Sequence, residues 1–213
     1  MQLYSFFNSS TSYRVRIALA LKGLEAGYHG VNLRAGEQRQ AAHRELSPIG
    51  GVPVLVRDDG ASLTQSLAII DYLDGQYPQA PLLPREPLQR ARVLEVAQLI
   101  ACDIHPLNNV RVLGYLQRVL EVGPEEKGRW YAHWVAEGLA ALEALLQRHG
   151  SGPYCFGDEP TLADCCLVPQ VANAERMGCE LSAYPRVMAV YDHCQAQAAF
   201  QRAAPGRQAD FIQ

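Results

Sequence analysis

A proline-rich segment, residues 78–87, constrains what this chain can fold into more than any other feature. Its sequence, PQAPLLPREP, carries a proline at every third position. Proline lacks a backbone N–H and fixes φ, so this spacing excludes both a helix and a central strand and favours a stiff, extended connector. We therefore predict two domains, residues 1–77 and residues 88–213, joined by this linker. A PxxP ligand for another protein is the less frequent alternative.

Strand and helix patterns alternate in the first of these regions. Short apolar or β-branched runs predict four strands, at residues 3–6, 28–33, 53–56 and 61–63. Helical spacing of apolar residues predicts three helices, at residues 12–23, 38–46 and 66–76. The sequence DDG at residues 58–60 favours a hairpin between the last two strands. The order β-α-β followed by β-β-α predicts an α/β domain of the thioredoxin-like kind.

The region after the linker repeats Ala, Leu and Val at helical spacing and shows no period-two alternation. The helical pattern covers residues 88–121, 125–149, 161–177 and 184–203. It predicts an all-α domain. The fold class predicted for the whole chain is therefore an α/β thioredoxin-like N-terminal domain followed by an all-helical C-terminal domain.

Composition narrows the classes of function. The 213 residues carry 19 Lys and Arg against 22 Asp and Glu, a net charge of −3, without the basic run that nucleic-acid binding requires. No stretch approaches the ~20 apolar residues of a membrane span, and the N-terminus does not resemble a secretion signal. The six cysteines lack C-x-x-C spacing and indicate reduced thiols, and no His and Cys set has metal-ligand spacing. We expect a cytoplasmic protein with no nucleic-acid partner, no membrane span and no metal.

The first candidate site is the sequence NSSTS at residues 8–12, between the first predicted strand and helix. Four hydroxyls and the free N–H groups of a helix N-terminus suit an anion such as a thiolate. Plain N-capping by one hydroxyl is the alternative. The segment contains no cysteine, so any thiol must arrive with a ligand.

Two further segments of the first region could bind a peptide-like ligand. Val52 and Pro53 follow two glycines and precede a strand, where a turn can present backbone groups, although a simple turn explains them equally well. Gln65 and Ser66 precede the third predicted helix, whose N–H groups could hold a carboxylate. Ser66 as an ordinary N-cap is the alternative.

The helical region contains a capping signal and a polar kink. Thr161 and Asp164 have capping-box spacing, which assigns Asp164 to folding and not to catalysis. Pro106 predicts a kink in the helical pattern. That kink could aim His105, Asn109 and Arg111 at a ligand, or these residues could form a solvated polar face.

Five motifs together resemble the zeta-class glutathione transferases, the family of the maleylacetoacetate isomerases. The motifs are SSTSYRVRIALALKG, QSLAIIDYL, CDIHPLNN, FGDEPTLAD and PQVANAER, and they occur in the family's order along nearly the whole chain. The resemblance implies the glutathione transferase fold, glutathione as cofactor, a substrate pocket between the domains and a cytoplasmic homodimer. The implied reaction is the glutathione-dependent cis–trans isomerisation of maleylacetoacetate to fumarylacetoacetate, as in tyrosine and homogentisate breakdown.

The same resemblance implies roles for individual residues. Ser9 would hold the glutathione thiolate, with Ser10 and Thr11 beside it. The remaining glutathione contacts would come from Val52 before a cis Pro53, from Gln65 and Ser66, and from His105 and Asn109. Arg176 would bind substrate carboxylates and take part in catalysis.

Two positions depart from the family's pattern. Many relatives have cysteine in place of Thr11, a change expected to affect redox sensitivity more than isomerisation. Arginine is common in place of Asn8, and its absence leaves Arg111 and Arg176 to supply the charge at the substrate carboxylates. We therefore keep open maleylpyruvate as the substrate, a transferase acting on α-halo acids, and a non-enzymatic protein that has kept the fold.

Overall fold

The structure is a computed structural model, and it describes residues 1–212. The chain forms two compact units, one of Met1–Leu83 together with the chain from Gln195 onward, the other Pro84–Cys194. The contacts divide the chain differently from the prediction at its C-terminus, because the segment after Gln195 was predicted with the helical domain. The physical reason is a short last helix that packs against the first helix of the chain.

The first unit contains a four-stranded mixed sheet. Its strands are β1 (Gln2–Ser5), β2 (Gly27–Gly30), β3 (Val54–Val56) and β4 (Ser62–Thr64). They lie in the order β2-β1-β3-β4, with β1 parallel to β2 and antiparallel to β3, and with β3 antiparallel to β4. The predicted β3–β4 hairpin is confirmed, since Arg57 N–H donates to the Ala61 carbonyl at 2.9 Å and Gly60 takes a φ of +87°.

Four helices accompany this sheet. They are α1 (Ser10–Leu21), α2 (Ala41–Leu46), α3 (Ser66–Gln76) and α9 (Ala198–Ala203). The core is apolar and fully buried at Val15, Ile17, Leu55, Ile70 and Leu73. The thioredoxin-like α/β character predicted for this region is confirmed.

A buried ion pair holds the start of the proline-rich segment. The ammonium of Lys22 lies 2.7 Å from a carboxylate oxygen of Asp74 and donates to the Tyr77 carbonyl at 2.9 Å. The same carboxylate accepts from the N–H groups of Leu82 and Leu83 at 2.7 and 3.1 Å. Side chains therefore satisfy backbone groups that this extended segment cannot pair within itself.

The second unit is helical, as predicted. Its helices are α4 (Pro87–Gln98), α5 (Val110–Arg118), α6 (Pro124–His149), α7 (Leu162–Arg176) and α8 (Pro185–Gln195). The pattern over residues 88–121 does not form one helix, because a π-helical segment, Leu99–Ile104, and a 3₁₀ turn, His105–Asn108, separate α4 from α5. Pro106 removes a backbone donor at this place, so the helical ladder ends and restarts. The predicted pattern over residues 184–203 likewise divides into α8 and α9.

The π-helical segment lies close to α6. A Cβ at Gly138 of α6 would overlap the side chain of Ile104, so glycine allows this approach.

No helix within residues 1–212 has both the length and the apolar character that crossing a membrane requires.

Candidate functional site

Hydroxyl groups surround the N-terminus of α1. Ser9 is the N-cap residue, with φ −81° and ψ 120°, and its Oγ accepts from Ser12 N–H at 3.2 Å. The first turn of α1 contains no acidic residue. The positive end of this helix is therefore not neutralised by a carboxylate of its own first turn.

The protons of the two half-buried hydroxyls are ordered by their partners. Thr11 Oγ1 donates to the Val52 carbonyl at 2.9 Å, and Ser9 Oγ lies 2.9 Å from the same Thr11 oxygen. A hydroxyl has one proton, so Thr11 must accept from Ser9 in this arrangement. The Ser9 proton faces Thr11 and would turn toward a ligand by rotation about one bond.

Burial separates the residues of this segment into two groups. Asn8, Ser9 and Thr11 are half-buried, whereas Ser10 is 5% exposed and Ser12 fully buried. A ligand can reach the hydroxyls of Ser9 and Thr11. Ser10 is the first residue of α1 and lies beside Ser9 at the positive end of the helix.

The Val52–Pro53 peptide bond is cis, which confirms the expectation from the resemblance. Pro53 is buried directly before β3, while Val52 is half-buried. The turn before it is fixed by Ser47 Oγ, which accepts from Gly51 N–H at 3.1 Å. The Val52 carbonyl already accepts from Thr11, and a carbonyl oxygen has a second lone pair available.

Gln65 and Ser66 occupy the start of α3 in different ways. Gln65 is the N-cap residue, is exposed and has φ +68° and ψ +116°, a backbone conformation that residues other than glycine rarely adopt. Such strain is found mostly at functional sites. Ser66 is buried, is not the N-cap, and accepts from the Arg14 guanidinium at 3.2 Å. The alternative of Ser66 as an ordinary N-cap is therefore wrong.

Arg14 and Arg16 are functional-site neighbours that the sequence analysis did not single out. Both lie in α1 and are only 1% and 5% exposed. A signal was present, because two arginines stand inside an otherwise apolar run that starts one residue after the NSSTS segment. Long charged side chains are almost never this buried unless they have partners.

In the second unit, His105 and Asn109 contact each other at the break between α4 and α5. Asn109 Oδ1 accepts from Arg111 N–H at 2.9 Å and caps α5. With the oxygen so used, Asn109 Nδ2 donates to His105 Nε2 at 3.2 Å. This pair requires a His105 that carries its proton on Nδ1. Arg111 is exposed on the first turn of α5.

Helix α6 fixes the 3₁₀ turn that carries His105. Trp130 Nε1 donates to the Leu107 carbonyl at 2.9 Å, and Asn108 Nδ2 donates to the Tyr131 carbonyl at 3.2 Å. The turn is therefore held from outside by two bonds, although its own sequence contains a proline.

Arg176 is the last residue of α7 and is exposed. Its guanidinium donates to Asn173 Oδ1 at 2.9 Å. Burial raises the pKa of Tyr131 to about 12, and the charge of nearby Arg176 acts in the opposite direction. A cation at a helix C-terminus is electrostatically favoured, so the charge of Arg176 is stabilised there with or without an anionic ligand.

The predicted capping box is confirmed and is structural. Thr161 Oγ1 accepts from Ala163 N–H, and the Asp164 carboxylate accepts from the N–H groups of Thr161 and Cys155 at 2.7 and 2.8 Å. Asp164 is fully buried. Burial raises its pKa, and its hydrogen bonds with Cys155 and Thr161 act in the opposite direction.

Within residues 1–212, no group of three or more His, Cys, Asp or Glu side chains has the arrangement of a metal site. The six cysteines are free thiols, and Cys102 is the exposed one among them.

Comparison with known proteins identifies the family. Family models described as glutathione S-transferase, N-terminal domain and C-terminal domain match residues 3–81 and 129–193. Maleylacetoacetate isomerase of Pseudomonas aeruginosa is 50% identical over 212 residues, which cover 99% of this chain and 98% of that protein.

Two solved structures superpose closely, each with a TM-score of 0.96 and full coverage of both chains. One is the holo structure of maleylpyruvate isomerase, a bacterial zeta-class glutathione transferase, at 44% identity. The other is maleylacetoacetate isomerase of Methylobacterium extorquens AM1 with bound malonate and glutathione, at 37% identity. The chain therefore belongs to the glutathione S-transferase family and, within it, to the zeta class of maleylacetoacetate and maleylpyruvate isomerases.

Proposed function

We propose that this protein is a glutathione-dependent cis–trans isomerase that converts maleylacetoacetate to fumarylacetoacetate. The observation that carries the proposal is the N-terminus of α1, where two half-buried hydroxyls meet a helix end whose first turn has no acidic residue. Such a place stabilises a thiolate brought by a ligand. Relatives that bear this activity in their names align with nearly the whole chain.

The residues of the first unit fit glutathione. Ser9 is assigned to the thiolate by donation from its hydroxyl, with Ser10 and Thr11 beside it. Val52, before Pro53, is assigned to the backbone of the cysteinyl residue. Gln65 and the N-terminus of α3, with Ser66 buried behind it, are assigned to the γ-glutamyl carboxylate.

When bound, glutathione supplies a thiolate whose reversible addition to the cis double bond permits rotation about that bond. The task of Ser9 is to keep the thiol ionised, because the thiolate is the nucleophile. The Ser9 hydroxyl rotates about one bond, so that its proton points to the sulfur and no longer to Thr11. The Ser9 side chain thereby donates to the charged form of the thiol and lowers its pKa.

Polar or cationic residues are assigned to the substrate and to the part of the site that the second unit provides. Arg176 and Arg111 are exposed guanidiniums suited to carboxylates and to the negative charge that develops during addition. His105 and Asn109 are assigned to glutathione, and Asn8 to the substrate. Since Asn8 carries no charge, binding of a dicarboxylate rests on the two arginines.

A second substrate, maleylpyruvate, is supported by the similarity to the zeta-class maleylpyruvate isomerase. Both substrates are cis diketo acids, and the same thiolate and arginines serve both.

We further propose that the protein works as a cytoplasmic homodimer.

The experiment that tests the function follows the ultraviolet decay of maleylacetone, a stable analogue of maleylacetoacetate, with purified protein. Decay that needs both the protein and glutathione is the expected result. Glutathione binding without decay would contradict the isomerase proposal and direct attention to α-halo acids. No retention on glutathione resin would contradict both and favour a non-enzymatic protein.

A further inference from the structure

The backbone immediately before Ser9 is held by residues from both ends of the first unit. Phe6 and Phe7 lie between β1 and α1 and are buried. Ser9 N–H donates to the Phe6 carbonyl at 3.0 Å. The position of the Ser9 side chain therefore depends on where the peptide groups of Phe6 and Phe7 are placed.

Arg16 fixes the carbonyl groups of this segment. Its guanidinium donates to the Phe6 carbonyl at 3.2 Å, the Phe7 carbonyl at 2.9 Å and Ser5 Oγ at 3.2 Å. A further N–H donates to the Ala203 carbonyl at the end of α9, at 2.9 Å. Burial lowers the pKa of Arg16 to about 10, so the side chain stays charged at neutral pH and its bonds are charge-assisted.

Asp210 fixes the N–H of the same segment. Its Oδ2 accepts from Phe7 N–H at 3.0 Å, across 203 positions of sequence. Its Oδ1 accepts from the Tyr28 hydroxyl at 2.6 Å. The ring of the next residue, Phe211, stands nearly perpendicular to that of Phe7, with 5.3 Å between the ring centroids. Space for this carboxylate depends on Gly30 in β2, where a Cβ would lie only 2.9 Å from the Asp210 Cβ.

Arg16 and Asp210 thus hold both sides of the Phe7 residue, its N–H and its carbonyl. Arg16 also shares with Ser9 the Phe6 carbonyl oxygen. One buried cation and one carboxylate from the C-terminal segment define a single placement of the chain that leads into the N-cap of α1.

We propose that Asp210 and Arg16 are positioning residues for the thiolate site, so that the C-terminal segment is a working part of it. The proposal rests on the function proposed for Ser9. Neither residue is assigned a contact with glutathione; both act through the backbone of Phe6 and Phe7. A displacement of Ser9 weakens its donation to the sulfur and raises the pKa of the bound thiol.

The test compares Asp210→Asn with the wild-type protein, each saturated with glutathione and shown to be folded by circular dichroism. Thiolate formation is followed by ultraviolet difference absorbance against pH. We expect the pKa of the bound thiol to rise, and kcat/KM at neutral pH to fall about tenfold, an effect typical of slight misplacement. The loss should shrink at alkaline pH, where the thiol ionises without help.

Asp192→Asn serves as the matched control, because Asp192 is an exposed carboxylate on α8. It should leave both the pKa of the thiol and the rate unchanged. Gly30→Ala is an independent variant, since its methyl group displaces Asp210 and preserves the carboxylate. It should reproduce the effect of Asp210→Asn even where that substitution impairs folding.

If the role of Asp210 is purely structural, Asp210→Asn and Gly30→Ala should lower the melting temperature and leave the pKa of the bound thiol unchanged. That result would overturn this inference but not the proposed function. A wild-type protein that binds no glutathione would overturn the proposed function together with this inference. The two failures are therefore distinguished by the wild-type measurement.

Discussion

The N-termini of α1 and α7 are built from similar residues and differ in what they leave available. In α7, Thr161 and Asp164 satisfy the first turn, and a buried carboxylate neutralises the helix end. In α1, Ser9 caps one N–H, the first turn contains no acid, and the hydroxyls of Ser9 and Thr11 remain half-buried. Both are good caps by local rules.

The difference shows how a structural cap can be told from a binding cap. A helix N-terminus carries a partial positive charge that some anion should offset. Where that anion is a side chain of the protein, such as Asp164, the helix end is closed, which means that its charge is neutralised and it serves folding. Where the side chains are neutral and accessible, the charge is left for a ligand.

The largest effect should come from Asp164→Ala. The substitution leaves the N–H groups of Thr161 and Cys155 buried without their acceptor. We expect the free energy of unfolding to fall by about 3 kcal/mol, measured by urea denaturation. Asp158→Ala, an exposed carboxylate in the same loop, should change it by less than about 0.5 kcal/mol. Equal effects of the two substitutions would contradict the closed-cap interpretation.

Ser9→Ala should affect catalysis far more than folding. Loss of one hydroxyl donor to the thiolate should lower kcat about a hundredfold and move the pH–rate profile to higher pH. Stability should fall by about 1 kcal/mol, the usual effect of losing a cap. Thr161→Ala is the control, since it removes the same kind of cap from α7. An equal shift of the profile in both variants would remove the distinction between the two helix ends.

A third cap, Asn109 of α5, allows binding and capping to be separated. Asn109→Asp keeps an oxygen for Arg111 N–H and adds a charge that the helix end favours. We expect unchanged stability, with kcat/KM for a dicarboxylate lowered about tenfold by repulsion. A neutral electrophile conjugated by the same protein should be affected less. A loss of stability instead would mean that the His105 contact is the important one.

Thr11→Val tests the ordering of the Ser9 proton. Thr11 accepts that proton in the described arrangement, so its removal should make the Ser9 hydroxyl more available and lower the pKa of bound glutathione slightly. The change in rate at neutral pH should be about threefold or less. Thr11→Ser, which preserves the acceptor, should match the wild type. A rise in the pKa with valine would mean that Thr11 itself contacts the sulfur.

The smallest effect concerns pH. Burial raises the pKa of Asp164 in the folded state above its ordinary value, so this group contributes stability that is complete below the ordinary Asp pKa and is lost as pH rises through the folded value. The destabilisation caused by Asp164→Asn should therefore be larger in mild acid than at neutral pH. Urea denaturation at several pH values measures it. The cap of α1, which has no carboxylate, should show no such dependence in Ser9→Ala.

Local sequence patterns predicted most of the first unit and part of the candidate site. The hairpin at residues 58–60, the capping box at Thr161 and the hydroxyl-rich start of α1 depend on residues within a few positions of one another. Patterns of this range are set by backbone sterics and short hydrogen bonds, which a sequence displays directly. The linker and the helical spacing after it predicted the order of the two domains, and the family motifs added the glutathione transferase fold.

The irregular part of the second unit could not be predicted in this way. Pro106 predicted a kink. The π-helical segment, the 3₁₀ turn and the new helix start at Asn109 also depend on Trp130 and Asn108, whose side chains form hydrogen bonds between the turn and α6. Hydrophobic spacing alone extends a helix through such a region, because it does not record which donors find partners elsewhere.

The sequence by itself determined most of the secondary structure of residues 1–77, the helical character of the second unit, and the position of Ser9 near a helix start. Only the tertiary structure decided that Ser10 is buried, that Gln65 adopts a left-handed backbone, and that Asp210 bonds to Phe7. These features join residues up to 203 positions apart. The burial that makes such contacts strong exists only after the chain has folded, because water otherwise satisfies each group separately.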